Sequence, residues 1–179
     1  MGTYLVNADP ADWADDEVHR PLAVALDAEL TRRGLAPFAF DSDRSFEEKL
    51  YRPMASFNQL CDAVLPPHLS LLDWELLLPI ALPEPLLLPV DSAYSDTTAV
   101  RGAGEVLTAA RMVATALALP VDLLPARCPN LDLCAWFDHP ATDGHPGPWQ
   151  DDLDAAFYTA LYLRAAEHAL REGSPLLYC

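Results

Sequence analysis

The sequence predicts an α+β fold in which about four to five helices pack around a small sheet. Three observations lead to this prediction. The 179 residues have the length of one ordinary domain. Hydrophobic residues make up 51% of the chain, enough to form a packed core. Segments with helical spacing of apolar residues alternate with short apolar runs bounded by proline. We therefore expect residues 1–179 to form a single globular domain.

The first predicted elements are a short strand and two helices. Residues 4–6 form an apolar run that is typical of a strand. Asp9 is placed as an N-cap, with Pro10 at the first helical position, where a missing N–H costs nothing. Because Pro21 would break that helix, a second helix is predicted to begin there. Three leucines at i, i+4 and i+8 form its apolar stripe, and Gly34 ends it.

A third helix is predicted from a capping box. Ser45 and Glu48 have the S-x-x-E spacing in which each side chain accepts a hydrogen bond from a backbone N–H at a helix start. The apolar residues that follow extend this helix as far as Val64. We expect a kink at Pro53 and an end at Pro66.

A β-hairpin is predicted near residues 76–90. The apolar runs 76–82 and 86–90 are short and flank the turn Pro83-Glu84-Pro85. Neither Pro79 nor Pro89 has an N–H to donate to a neighbouring strand. At least one of the two strands is therefore expected at an edge of the sheet or at a bulge.

Two further helices complete the predicted fold. The apolar spacing of residues 105–119 is helical, and Pro120 ends this segment. The last helix begins after Asp151 and Asp152, since acidic residues suit a first helical turn, and it runs to Gly173. Residues 120–150 are rich in proline and are predicted to be irregular, and residues 176–178 are expected to dock on the core.

The charge of the chain argues against several classes of ligand. The sequence has 27 Asp and Glu against 11 Lys and Arg, a formal net charge of -16 and a pI near 4.4. Nucleic acid requires clustered cations, and anionic membranes attract them, so neither is expected as a ligand.

No segment has the roughly 20 nearly uninterrupted apolar residues of a transmembrane helix, and no secretory signal is visible. The protein is predicted to be soluble and cytoplasmic, and its Arg-rich, Ala-rich composition indicates a bacterial source.

The acidic residues suggest a protein partner. A charge of -16 exceeds the magnitude of roughly 2–8 that solubility requires of a small domain. An early acidic cluster and one tryptophan, a common interface anchor, are the predicted partner-binding residues: Asp12, Asp15, Asp16, Glu17 and Trp149. The predicted function is a non-catalytic, acidic protein-binding domain of the inhibitor or immunity type. It would neutralise a basic protein by electrostatic steering and occlusion.

The alternative function is a small zinc-binding protein or enzyme. The sequence contains none of the common catalytic or phosphate-binding motifs, which favours a non-catalytic protein without a cofactor. Cys128, Cys134, His139 and His145 nevertheless place four zinc-type ligands in one segment, with the spacing C-x5-C-x4-H-x5-H. The tight C-x2-4-C pair of common zinc fingers is absent. The same residues could instead be two buried thiols and two solvated imidazoles.

Overall fold

The computed structural model describes residues 2–15, 17, 19–42, 44–92, 95–139 and 145–179, with the side chains of residues 14 and 15 left out. Its mixed sheet has six strands in the order β2-β1-β6-β3-β5-β4. The strands are β1 (Thr3–Asn7), β2 (Glu47–Leu50), β3 (Leu76–Leu78), β4 (Leu86–Leu88), β5 (Thr98–Gly102) and β6 (Leu176–Tyr178). The described α-helices are α1 (Pro10–Asp15), α2 (Arg20–Arg32), α3 (Ala55–Val64), α4 (Ala103–Ala116), α5 (Asp132–Asp138) and α6 (Leu153–Glu172). The predicted α+β class is confirmed, with one more helix than expected.

The predicted start of the chain is confirmed. The Asp9 side chain accepts a hydrogen bond from the Ala11 N–H (2.8 Å) and so caps α1. Helix α2 begins at Arg20, and Gly34 follows it with a φ of 75°, a left-handed conformation that glycine adopts without strain.

The predicted capping box at Ser45 is wrong. Residues 47–50 form β2, which pairs antiparallel with β1, and α3 begins only after Pro53. Glu48 does cap a helix, but a distant one. Its carboxylate accepts hydrogen bonds from the N–H groups of Leu133 (2.6 Å) and Cys134 (3.2 Å) in the first turn of α5. Burial raises the pKa of Glu48, and these two donors act in the opposite direction.

The predicted hairpin has its two strands in place, but they do not pair with each other. Strand β5 lies between them and pairs parallel with β3 and antiparallel with β4. The three leucines of β3 are wholly buried, and β3 has a strand on both sides, β5 on one and β6 on the other. The Pro83–Pro85 segment therefore carries the chain past β5 to the edge of the sheet, where β4 is the last strand.

Apolar side chains cover both faces of the sheet. Helices α3, α4, α5 and α6 contribute to the larger core, which contains Leu77 of β3. Leu76 and Leu78 point to the opposite side, where α1 and α2 contribute to a second core. Strands buried on both faces read as continuous apolar runs, which explains the Leu-rich sequence of β3.

The segment between α4 and α6 is more regular than predicted, because residues 132–138 form α5. Helix α6 begins where the sequence indicated, with the Asp152 carboxylate accepting a hydrogen bond from the Ala155 N–H (2.9 Å). Within the described ranges, no helix combines the length and the apolar character needed to cross a bilayer.

One histidine of α6 is buried. The His168 side chain is 3% exposed, and its ring centroid lies 5.3 Å from that of Phe46. Burial, followed by the charge of Arg171, lowers the pKa of His168 from 6.5 to about 4.

We expect acid to destabilise the fold through His168. Between about pH 6.5 and pH 4 the unfolded chain binds a proton at this residue that the folded chain does not bind. Lowering the pH from 7.5 to 5 should therefore remove about 2 kcal/mol of stability through this group, at about 1.4 kcal/mol per pKa unit. Urea denaturation at both pH values measures the change in the free energy of unfolding. In His168→Gln this change should be smaller by about 2 kcal/mol. An equal loss in the variant would contradict the assignment.

Candidate functional site

The predicted acidic cluster is described only in part. The side chains of Asp12 and Glu17 are exposed, as a partner-binding role requires. Asp16 and the side chain of Asp15 lie outside the described residues. The predicted binding role of the cluster remains untested.

The structure does not place Trp149 on the surface. Its side chain is wholly buried, and its indole N–H donates to the carbonyl of His145 (3.0 Å). Its backbone N–H donates to the Leu117 carbonyl just after α4 (3.0 Å), and its ring lies 5.7 Å from that of Trp136. Trp149 therefore holds the segment before α6 against the core, and its predicted role as a surface anchor is corrected.

The predicted zinc ligands have different environments. Cys128 is buried and Cys134 half-buried, whereas His139 and His145 are exposed. The Cys134 thiol donates to the Lys49 carbonyl (3.5 Å), and burial raises its pKa to about 12, which opposes the thiolate form that zinc requires. In the described part of the chain, no group of three or more His, Cys, Asp or Glu side chains is placed to hold a metal ion.

A different site lies where three surface hollows meet at Glu75. The first, the aromatic cavity, has a volume of about 420 Å³, and its lining includes Arg52, Trp74, Glu75, Tyr158, Tyr162 and Tyr178. The second, the His19 hollow, measures about 270 Å³ and is lined by His19, Glu75, Asp91 and Tyr178 among others. The third, the Leu87 hollow, measures about 680 Å³ and includes Asp73, Trp74, Glu75, Glu84, Leu87 and Arg101. We call these three hollows together the Glu75 surface.

Glu75 is fixed in place by β5. Its backbone N–H donates to the Ala99 carbonyl (2.8 Å), and its carboxylate Oε2 accepts from the Ala99 N–H (2.6 Å). Both bonds form because Glu75 directly precedes β3, which runs parallel to β5. The sheet therefore positions one carboxylate at the junction of all three hollows.

Aromatic rings form the walls beside Glu75. The ring of Trp74 stacks on that of Tyr178 (5.0 Å between centroids) and meets Tyr162 edge-on (5.8 Å). The Tyr178 hydroxyl donates to the Tyr162 hydroxyl (3.0 Å). Burial raises the pKa of both tyrosines, and that of Tyr158 to about 12, so all three phenols are neutral near pH 7. The walls are therefore preorganised and uncharged. Trp74, Tyr158 and Tyr162 are at most 2% exposed, so the half-buried Tyr178 is the ring that a ligand can contact.

The Glu75 surface also has an apolar edge. Leu87 in the edge strand β4 is 69% exposed, more than any other large hydrophobic side chain in the described residues. It lines the Leu87 hollow beside Glu84 and Asp73. Leu87 therefore adds one apolar side chain to the rim of this hollow, between charged residues.

Carboxylates outnumber cations around these hollows. Asp73, Glu75, Glu84 and Asp91 line them, together with two arginines. Of these two arginines, Arg52 is paired with Asp154 (3.1 Å), whereas Arg101 forms no ion pair with the described residues. The other described ion pairs lie elsewhere, at Glu29, Glu167 and Glu172, and occupy Arg32, Arg33, Arg111, Arg127, Arg164 and Arg171.

The acidic segment around α1 borders the same surface. His19 lines the His19 hollow, and its ring lies 6.4 Å from that of Trp13 in α1, in a stacked arrangement. Glu17 precedes His19 by two residues. Asp12 and Glu17 adjoin Trp13 and His19 in sequence, but neither lines any of the three hollows.

Sequence reasoning missed Glu75 because its partners come from distant parts of the chain. Trp74, Tyr162 and Tyr178 meet only in the folded molecule. One signal was present, however: residues 53–100 contain six Asp and Glu and no Lys or Arg. A long stretch without cations predicts an uncompensated negative surface.

Comparisons of this chain with protein-family models, with curated proteins and with solved structures give no match.

Proposed function

We propose that this chain is an acidic protein-binding domain that captures a basic protein through the Glu75 surface. The observation that carries this proposal is the meeting of three hollows at one fixed carboxylate, with an excess of negative charge around an apolar and aromatic floor. Protein interfaces combine a buried apolar and aromatic centre with a polar rim in this way.

Electrostatics and packing have separate roles in this function. The net charge of -16 attracts a basic partner over long range and speeds its encounter with the domain. Tyr178 and Leu87 then supply contact area that excludes water. The result is occlusion: the partner's basic surface is covered while the complex lasts, as an inhibitor or immunity protein requires.

We expect neutral substitutions at the rim to weaken binding. The triple variant Asp73→Asn, Glu84→Gln, Asp91→Asn removes three charges from the Glu75 surface and keeps the side-chain shapes. Rim charge pairs contribute about 0.2–1 kcal/mol each, so the affinity should fall about tenfold at low ionic strength.

The matched control is the triple variant Asp62→Asn, Asp122→Asn, Asp151→Asn. It changes the net charge by the same amount at three exposed residues that line none of the hollows. The partner is first captured from a lysate of the source cells at low salt, identified and purified, and both variants are then titrated against it by calorimetry. Recovery of no stoichiometric basic protein, or equal weakening in the two variants, would refute the proposal.

A further inference from the structure

We infer that the aromatic cavity binds an arginine side chain of the partner, an inference that rests on the proposed function and adds the chemistry of the residue recognised. The cavity places one carboxylate, Glu75, beside the half-buried ring of Tyr178, and a carboxylate with an aromatic ring forms a receptor for a cation. Its volume of about 420 Å³ leaves room for a guanidinium group and the methylenes that carry it.

One carboxylate oxygen of Glu75 is available to accept a hydrogen bond from such a cation. Its Oε2 accepts from the Ala99 N–H, whereas its Oε1 takes part in no hydrogen bond within the described residues. A guanidinium group can donate to that oxygen and at the same time lie flat against a ring, because it is planar and weakly hydrated. A lysine ammonium lacks this shape, so arginine is the side chain that the cavity fits best.

Arg52, which also lines the cavity, does not oppose a second cation there. Its three nitrogens donate to the Tyr51 hydroxyl (3.0 Å), the Asp154 carboxylate (3.1 Å) and the Phe137 carbonyl (3.0 Å). The Asp154 charge therefore offsets its own. Its guanidinium lies 5.1 Å from the Tyr51 ring centroid, so this region of the fold already holds one guanidinium by a carboxylate and an aromatic ring.

Short capped amino acids test this inference without the partner. The probes are the Nα-acetyl N-methylamides of arginine, lysine and citrulline; citrulline is a neutral isostere of arginine. Binding to the wild-type chain is followed by NMR at the tryptophan indole N–H signals, with the Trp74 signal assigned from Trp74→Phe. We expect the arginine probe to shift the Trp74 signal with millimolar affinity, the lysine probe to bind about threefold more weakly and citrulline about tenfold more weakly, where tenfold is about 1.4 kcal/mol.

Glu75→Gln is the variant that tests the carboxylate. The glutamine amide oxygen can still accept from the Ala99 N–H, so the fold is retained while the charge is lost, which thermal unfolding checks. Binding of the arginine probe should weaken about tenfold, whereas in the control Glu84→Gln, at the rim of the Leu87 hollow, it should be unchanged. No shift at about 100 mM probe, equal binding of citrulline, lysine binding as tight as arginine, or an unaffected Glu75→Gln variant would each overturn the inference.

The two proposals fail in different experiments. The triple rim variant leaves every residue of the aromatic cavity unchanged and is measured against the captured protein. If that variant loses affinity while the arginine probe does not bind, the proposed function stands and only the arginine assignment falls. If no basic partner is captured at all, both fall.

Discussion

Trp149→Ala lowers the free energy of unfolding by about 3–5 kcal/mol, the cost of removing a large buried aromatic side chain. Trp149 is wholly buried and packs against Trp136. Its backbone N–H donates to the Leu117 carbonyl after α4, and its indole N–H donates to the His145 carbonyl within its own segment. Alanine would leave a cavity at this junction, and the packing contacts of the indole ring would be lost. Chemical denaturation monitored by far-UV circular dichroism measures the difference.

Trp149→Phe provides the control for this prediction. Phenylalanine keeps most of the packing and loses only the hydrogen bond to the His145 carbonyl, so we expect a smaller loss of stability. Because Trp149 does not reach the surface, the folded Trp149→Phe variant should bind the captured partner with wild-type affinity. A variant of normal stability that no longer bound the partner would restore Trp149 as an interface anchor.

The second large effect is expected at Glu48. Glu48→Ala leaves the N–H groups of Leu133 and Cys134 without their acceptor inside the protein. Each buried unsatisfied donor costs about 1–3 kcal/mol, so the total loss of stability should be about 2–6 kcal/mol. The same denaturation experiment measures it, and amide hydrogen exchange should accelerate first in α5.

Glu47→Ala is the matched control in the same strand. The Glu47 backbone accepts from the Leu131 N–H (2.8 Å) and donates to the Cys128 carbonyl (2.9 Å), and both bonds survive the substitution. Its carboxylate accepts no hydrogen bond from the described residues, so a loss below about 1 kcal/mol is expected, as for surface substitutions in general. Similar losses in the two variants would show that Glu48 does not act as the cap of α5.

Much of the fold could be predicted because its signals are local. Asp9 with Pro10, the leucine stripe ended by Gly34, and Asp152 before α6 each act within one or two helical turns, and all three predictions are confirmed. Two predictions were wrong because strand pairing depends on residues far apart in the sequence. Ser45 and Glu48 have the spacing of a helix start, but pairing with β1 outweighs it. Strands β3 and β4 are neighbours in sequence, but β5 is inserted between them.

The candidate site was harder to predict than the fold. The sequence contains Glu75 as one acidic residue in a long apolar run, and nothing near it indicates that Ala99 will hold its carboxylate. Trp149 was predicted as a contact residue because tryptophan is common at interfaces, yet the same large apolar ring is equally suited to a core. The net charge does indicate a type of partner, but it cannot say which face of the molecule is used.

The central position of β6 in the sheet affects how the chain folds. This strand joins β1, near the start of the chain, to β3, in its middle, so it closes loops that span most of the sequence. Contacts of such long range form slowly. Without β6, no strand would link β1 and β2 to β3, β5 and β4, and Tyr178 would be absent from beside Trp74. Under the proposed function, only a chain with β6 in place would present the complete cavity to a partner.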